Sequence, residues 1–146
     1  MDTRHLVDRE IAPIIDLFPR IELDSAPIAE IRAKAAQTYS ILPPPVIAPE
    51  EIMVPSIHGG PEIPVFLYRP AANKPGGGAI LHIHGGGMVM GSVKQMQAGP
   101  PAMATAAGAP VASVEYRLAP EHPFPAPQED CHSALAWLAG QADVLG

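Results

Sequence analysis

The stretch Ala79-Ile80-Leu81-His82-Ile83-His84-Gly85-Gly86-Gly87 decides how the fold is read. An apolar, β-prone run stops at a histidine and three consecutive glycines. The run predicts a short strand over 79–84. The glycines behind it offer backbone N–H groups at one point, with no side chains to crowd them.

Downstream of this stretch come Met88-Val89-Met90-Gly91-Ser92 and a weakly patterned segment. Pro100-Pro101 is expected to open a short helix that Gly108 closes as C-cap. Val111–Glu115, rich in β-branched residues, reads as a strand, and Tyr116–Pro127 as a proline-rich loop. A further helix follows. Pro127 stands near its start, and Glu129 and Asp130 lie in the first turn, where they favour the helix dipole. Cys131, Ala134, Leu135 and Leu138 are expected to line one face, and Gly140 to end it. Strand, helix, strand, helix in alternation implies a parallel sheet in an α/β fold.

Upstream, Glu51–Ile57 and Glu62–Tyr68 read as two strands joined as an antiparallel hairpin by His58-Gly59-Gly60-Pro61. Leu42-Pro43-Pro44-Pro45 reads as a linker. Ahead of it, residues 3–18 are expected to form a helix kinked at Pro13, with Val7, Ile11, Ile14, Ile15 and Phe18 at helical spacing. Ser25 is expected to cap a second helix that carries Ile28, Ile31 and Ala35 on one face. Two organisational parts follow: a helical segment over 1–45 and an α/β part over 46–146.

Composition bounds the function. The 146 residues are 47% hydrophobic, enough for a core. A formal net charge of -6 argues against nucleic acid or an anionic membrane surface as partner, since both want a basic patch. One cysteine, Cys131, allows no internal disulfide and no Cys-based zinc site, which fits a reducing compartment. The start Met1-Asp2-Thr3-Arg4-His5 is polar and unlike a signal peptide, and no apolar run approaches the length of a membrane span. A cytoplasmic location is expected.

Four chemistries compete with a plain packing turn at the glycines. His82 and His84 share a strand face and suggest a metal, but no carboxylate or third histidine stands close in sequence. Gly86-x-x-x-x-Gly91-Ser92 suggests a phosphate loop, but the required lysine is absent. A dinucleotide fingerprint on Gly85-x-Gly87 would need a glycine at Met90. The fourth is an oxyanion hole. Acyl transfer builds a negative oxygen, and one preorganised donor aimed at it contributes about 3–4 kcal/mol. His-Gly-Gly-Gly directly after a strand is the lipase and esterase form of that device.

His84-Gly85-Gly86-Gly87 with Met88–Ser92, followed by Tyr116-Arg117-Leu118-Ala119-Pro120-Glu121-His122-Pro123-Phe124-Pro125-Ala126, closely resembles the hormone-sensitive-lipase-like family of α/β-hydrolases, which includes many bacterial carboxylesterases. Order and separation of the two motifs match as well. The resemblance implies a carboxylic-ester hydrolase fold with no cofactor, taking a small ester of short to medium acyl chain. By it, Gly86 and Gly87 donate to the oxyanion, Gly85 belongs to the turn, and His84 braces the loop rather than acting as a base. Met88 and Met90 line the acyl pocket or are plain core, and Phe18 of the cap touches substrate. Arg117 and Glu121 belong to a structural polar network. Residues 1–45 become the helical cap, and 46–146 the N-terminal part of the catalytic domain.

The resemblance also implies a serine in a Gly-x-Ser-x-Gly elbow, followed by an acid and then a histidine. None of Ser25, Ser40, Ser56, Ser92, Ser113 and Ser133 stands in that pattern. His122 and His132 precede the place of such a serine and do not substitute for the triad histidine. The expectation is therefore a chain truncated before its nucleophile and inactive alone. The alternative is a non-catalytic relic or binding module that holds a carboxylate on the glycine N–H groups. In the family the strand after this region pairs beside 79–84, so that edge is expected to be open, with self-association possible through it.

Overall fold

The computed structural model describes residues 4–15, 27–39, 46–72 and 78–145. The chain divides into two compact units, 1–41 and 42–146. The Leu42–Pro45 linker, Ser25 and Phe18 lie outside the described residues.

The first unit departs from the expected helix over 3–18. A 3-10 turn spans Arg4–Leu6, and a separate helix, α1, spans only Ala12–Ile15. The break has a local cause at Asp8. Its carboxylate accepts the Glu10 N–H at 2.8 Å, and its carbonyl accepts the N–H groups of Ile11 and Ala12. This self-capping turn competes with helix propagation. Pro13 then sits in the first turn of α1, where its missing N–H costs nothing, so it starts a helix instead of kinking one. Helix α2, Ile28–Tyr39, follows Pro27 and buries Ile31 and Ala35, with Ile28 half-buried on the same face.

The second unit is a mixed four-stranded sheet. Strands β1 (Glu50–Val54), β2 (Ile63–Tyr68), β3 (Ile80–Ile83) and β4 (Val111–Val114) lie in the order β1-β2-β4-β3. The expected hairpin is present, with β1 antiparallel to β2. β2 is antiparallel to β4, and β3 is parallel to β4. Helix α3 (Gly99–Ala107) connects β3 to β4, which is the crossover a parallel pair needs. It starts with Pro100-Pro101 in its first turn and ends at Gly108, at φ 63°, whose N–H returns to the Ala104 carbonyl at 2.9 Å. Helix α4 (Ala126–Gly140) and the short α5 (Ala142–Leu145) complete the described chain.

Strand alternation sorts the core into two layers. Val65 and Leu67 of β2 and Ala112 and Val114 of β4 pack with Cys131, Ala134 and Leu138 of α4. Phe66 and Tyr68 of β2 and Val111 of β4 pack with Ala104 of α3. The two helices thus cover opposite faces. Leu135 departs from expectation: it is 50% exposed, because the 131/134/138 stripe points inward and position 135 falls on its flank. Asp130 departs too. It is 1% exposed and belongs to the interior rather than to the dipole. Burial, then the adjacent Asp130 carboxylate, pushes the Cys131 thiol up to about 11, so little thiolate exists near neutral pH.

β3 forms one edge of the sheet, and Ile83 at its end is 44% exposed. An apolar groove of about 270 Å³ opens between the start of β3 and α4, lined by Gly78, Ala79, Leu135, Leu138, Ala139 and Ala142. It lies at the opposite end of β3 from the glycines. No described helix is long and apolar enough to cross a membrane.

Candidate active site

The chain leaves β3 at His84, which is 3% exposed, and enters the glycines. Gly86 has φ 130°, Gly87 φ 62° and Met88 φ 61°. The first of these is open only to glycine, and the second and third are left-handed. The turn closes on Gly86, whose carbonyl accepts the N–H of Val89 at 3.2 Å and of Met90 at 3.1 Å. A Cβ on Gly86 would run into the Met90 carbonyl oxygen. Gly91, at φ 95°, is as tight: a Cβ there would strike the Gly85 carbonyl and the His84 ring. Among the described residues nothing accepts the N–H of Gly86 or Gly87.

His84 sits beneath this turn. Its Nδ1 lies 3.0 Å from the Gly85 carbonyl, a group that only accepts, so in the neutral ring the proton is on Nδ1. Nε2 is then a bare acceptor, buried without a partner among the described residues. The Tyr116 ring stacks on the imidazole, with centroids 4.1 Å apart and planes 14° apart. The Tyr116 hydroxyl donates to the His84 carbonyl at 2.7 Å. Burial pushes the Tyr116 phenol up to about 12, so it remains a donor at any ordinary pH. Tyr116→Phe strands a buried carbonyl and is expected to lower unfolding stability by about 1–3 kcal/mol, read from the urea midpoint.

The two motifs meet at one further bond, from the Ala119 N–H to the Met88 carbonyl at 2.9 Å. Met88 itself packs against the α4-side core, and the Met90 side chain lies against Gly86. Both are half-buried. Behind Tyr116, Arg117 forks onto Asp130: its Nε lies 2.9 Å from Oδ2 and its Nη2 2.8 Å from Oδ1, while its backbone N–H also donates to Oδ2. The hydrogen bond to Asp130 raises the guanidinium pKa further. The Glu115 carboxylate accepts the Val93 N–H at 2.7 Å and holds the segment that follows the glycine turn.

His82 is placed apart from this arrangement. Its Nδ1 lies 2.8 Å from the Ser113 hydroxyl on the neighbouring strand, with which it is in register. Distance alone would allow a nucleophile and base, but Ser113 is fully buried in the sheet. Burial, then the nearby His84, lowers the His82 pKa, which disfavours its charged form. Among the described residues no group of three His, Cys, Asp or Glu side chains could hold a metal ion. Sequence reasoning missed Asp130 as the partner of Arg117 and Tyr116 as the brace of His84. Both pairings join positions distant along the chain, and only Arg117 and Glu121 of the second motif hinted at a polar network there.

Residues 80–146 match the family model described as alpha/beta hydrolase fold. The curated relatives that this chain is similar to include hormone-sensitive lipases and carboxylesterases. Among α/β-hydrolases the chain is 44% identical over 89 residues to an ethyl acetate hydrolase of Pseudomonas putida, a match covering 60% of this chain and 28% of that protein. It is 33% identical to carboxylesterase NlhH of Mycobacterium tuberculosis, with 96% of this chain and 44% of that protein covered. Among solved structures, a bacterial heroin esterase superposes with a TM-score of 0.83 at 29% identity, covering 99% of this chain and 46% of that one. The chain therefore spans less than half the length of these α/β-hydrolases.

Proposed function

We propose that this chain supplies the oxyanion hole of a carboxylic-ester hydrolase that works through a serine nucleophile. The observation that carries the reading is the pair of unengaged N–H groups on Gly86 and Gly87 at the end of β3. A scissile carbonyl placed there becomes more negative as the tetrahedral intermediate forms. Donors held in place by the fold then stabilise the transition state more than the substrate. Gly85 sets the turn. His84 positions the loop through its Nδ1–H and through the carbonyl that Tyr116 holds. Neither nitrogen of His84 is placed to act as a base, since one is engaged and the other is buried.

Met88 and Met90 contact the acyl group. The ester is small, with a short to medium acyl chain, and a relative named as an ethyl acetate hydrolase supports this. No cofactor is needed for such chemistry. The lone buried Cys131 supports a reducing compartment, in line with a cytoplasmic location. The free edge of β3 is the place where another strand, or a second copy, would pair.

A second reading is favoured by one observation: the 146 residues contain no Gly-x-Ser-x-Gly, and Ser113 and Ser133 are fully buried. In it, the same N–H pair holds a carboxylate without turnover. The coding sequence past the Gly146 codon separates the two. A Gly-x-Ser-x-Gly within the next few dozen codons supports the hydrolase, and a stop codon supports the binding module. Residues 1–146 alone are expected to release no p-nitrophenol from p-nitrophenyl acetate beyond buffer hydrolysis. Turnover blocked by a serine-directed inhibitor would place the nucleophile within these residues and overturn that part of the reading.

A further inference from the structure

The β1–β2 connection is bound to α4. The Ile57 N–H donates to the Ser133 hydroxyl at 3.2 Å, and that hydroxyl donates to the Glu129 carbonyl at 2.8 Å. The Ser56 hydroxyl accepts the N–H groups of His58 and Gly60, each at 3.2 Å, so the loop is folded on itself. The loop thereby delivers His58 to His132 of α4. The His58 Nε2 and His132 Nδ1 atoms are 2.9 Å apart, the ring centroids 5.1 Å apart, and both residues are exposed.

The geometry points to a two-histidine chelate for a borderline divalent transition cation, with Zn2+, Ni2+ or Cu2+ as the class, held by His58 Nε2 and His132 Nδ1. Imidazole nitrogens sit about 2.0–2.1 Å from such ions, and a tetrahedral pair of them is separated by about 3.3–3.4 Å. Opening the contact from 2.9 Å by a few tenths of an ångström meets that requirement with small ring rotations. The same tetrahedral angle keeps the ring centres about 5 Å apart, the separation already present.

The proton count closes. One of the two facing nitrogens carries a proton and donates to the other. On metal entry that proton moves to the far nitrogen of its own ring, and both facing lone pairs bind the ion with no net release from neutral rings. No third His, Cys, Asp or Glu among the described residues joins the pair, so water fills the remaining positions. Glu129 lies three residues before His132 on α4 and adds negative charge on that side of the helix. Imidazole ligation excludes Mg2+ and Ca2+, which take oxygen donors. The bound ion ties residues 74 positions apart and clamps the β1–β2 loop to α4.

The test titrates the purified protein with Zn2+ and with Mg2+, following the imidazole resonances by NMR. Zn2+ is expected to shift His58 and His132 together at one equivalent, with Mg2+ without effect. His58→Ala and His132→Ala should each weaken Zn2+ binding at least tenfold, and the double variant no further, since one missing ligand already breaks the chelate. His122→Ala, at an exposed histidine elsewhere, should leave it unchanged. Retained affinity in either single variant, or shifts confined to His5 and His122, would overturn the site. The resonances of the unsubstituted protein decide the matter if a variant does not fold.

Discussion

Under the proposed ester hydrolysis, Gly86→Ala is expected to remove about two to three orders of magnitude from kcat, with KM little moved. At φ 130° an alanine is outside its allowed regions, and its Cβ runs into the Met90 carbonyl. The peptide must rotate to relieve both. That rotation moves the N–H groups of Gly86 and Gly87 away from the proposed oxyanion position. The neighbouring glycines supply the internal control. Gly87→Ala meets open space at φ 62°, so it carries only the left-handed penalty of about 1 kcal/mol and an activity loss near tenfold. Gly85→Ala also meets nothing within 4 Å and has an ordinary φ, so it should be close to neutral. Initial rates on p-nitrophenyl acetate rank the three. Equal losses at 85 and 86 would mean that the loop tolerates no bulk anywhere and that donor placement is not what matters.

Arg117→Ala is expected to destabilise the fold by about 3–5 kcal/mol, measured by urea unfolding. The Asp130 side chain is 1% exposed and Arg117 23%, so removing the guanidinium leaves a buried carboxylate whose single remaining bond among the described residues comes from the residue 117 backbone N–H. Arg117→Lys should recover part of the loss, since an ammonium restores the charge but not the two-pronged contact. The double variant Arg117→Ala, Asp130→Asn should be milder than Arg117→Ala alone, because it removes the stranded charge. Loss of the pair also loosens the backbone at Tyr116, so an activity deficit should accompany the stability loss.

What the sequence disclosed, and what it withheld, divide along one physical line. β3 and its glycines, α3 between its prolines and Gly108, and the antiparallel β1–β2 pair are all set by residues close in sequence, and each was legible. The helix expected over 3–18 failed because one side chain, Asp8, offered its neighbours a competing set of bonds that periodicity does not weigh. Asp130 looked like a favourable charge at a helix start, and only its pairing with Arg117, 13 positions away, made it an interior residue. His58 and His132 were unremarkable singly and gained meaning only when the loop folded back. The glycine turn at the end of β3 was readable, whereas the scaffold that steadies it, Tyr116 on His84 and Ala119 on Met88, was not.

The placement of α3 and α4 on opposite faces has a consequence for where the chain can be extended in space. β3 passes through α3 to reach β4, a step toward the β2 side of the sheet. Crossovers between parallel strands are right-handed, so a helix on the other face carries the chain the other way. A parallel strand reached through α4 therefore adds beyond the free edge of β3. With such a strand the winding direction would reverse at β3, and the loops leaving neighbouring strand ends there would part in opposite directions. Open α/β sheets bind their ligands in the crevice at such a topological switch point, outside the carboxyl ends of the strands. The glycine turn leaves the carboxyl end of β3, the side on which such a crevice would open, so the handedness of the chain bears on its position as much as the residues within it.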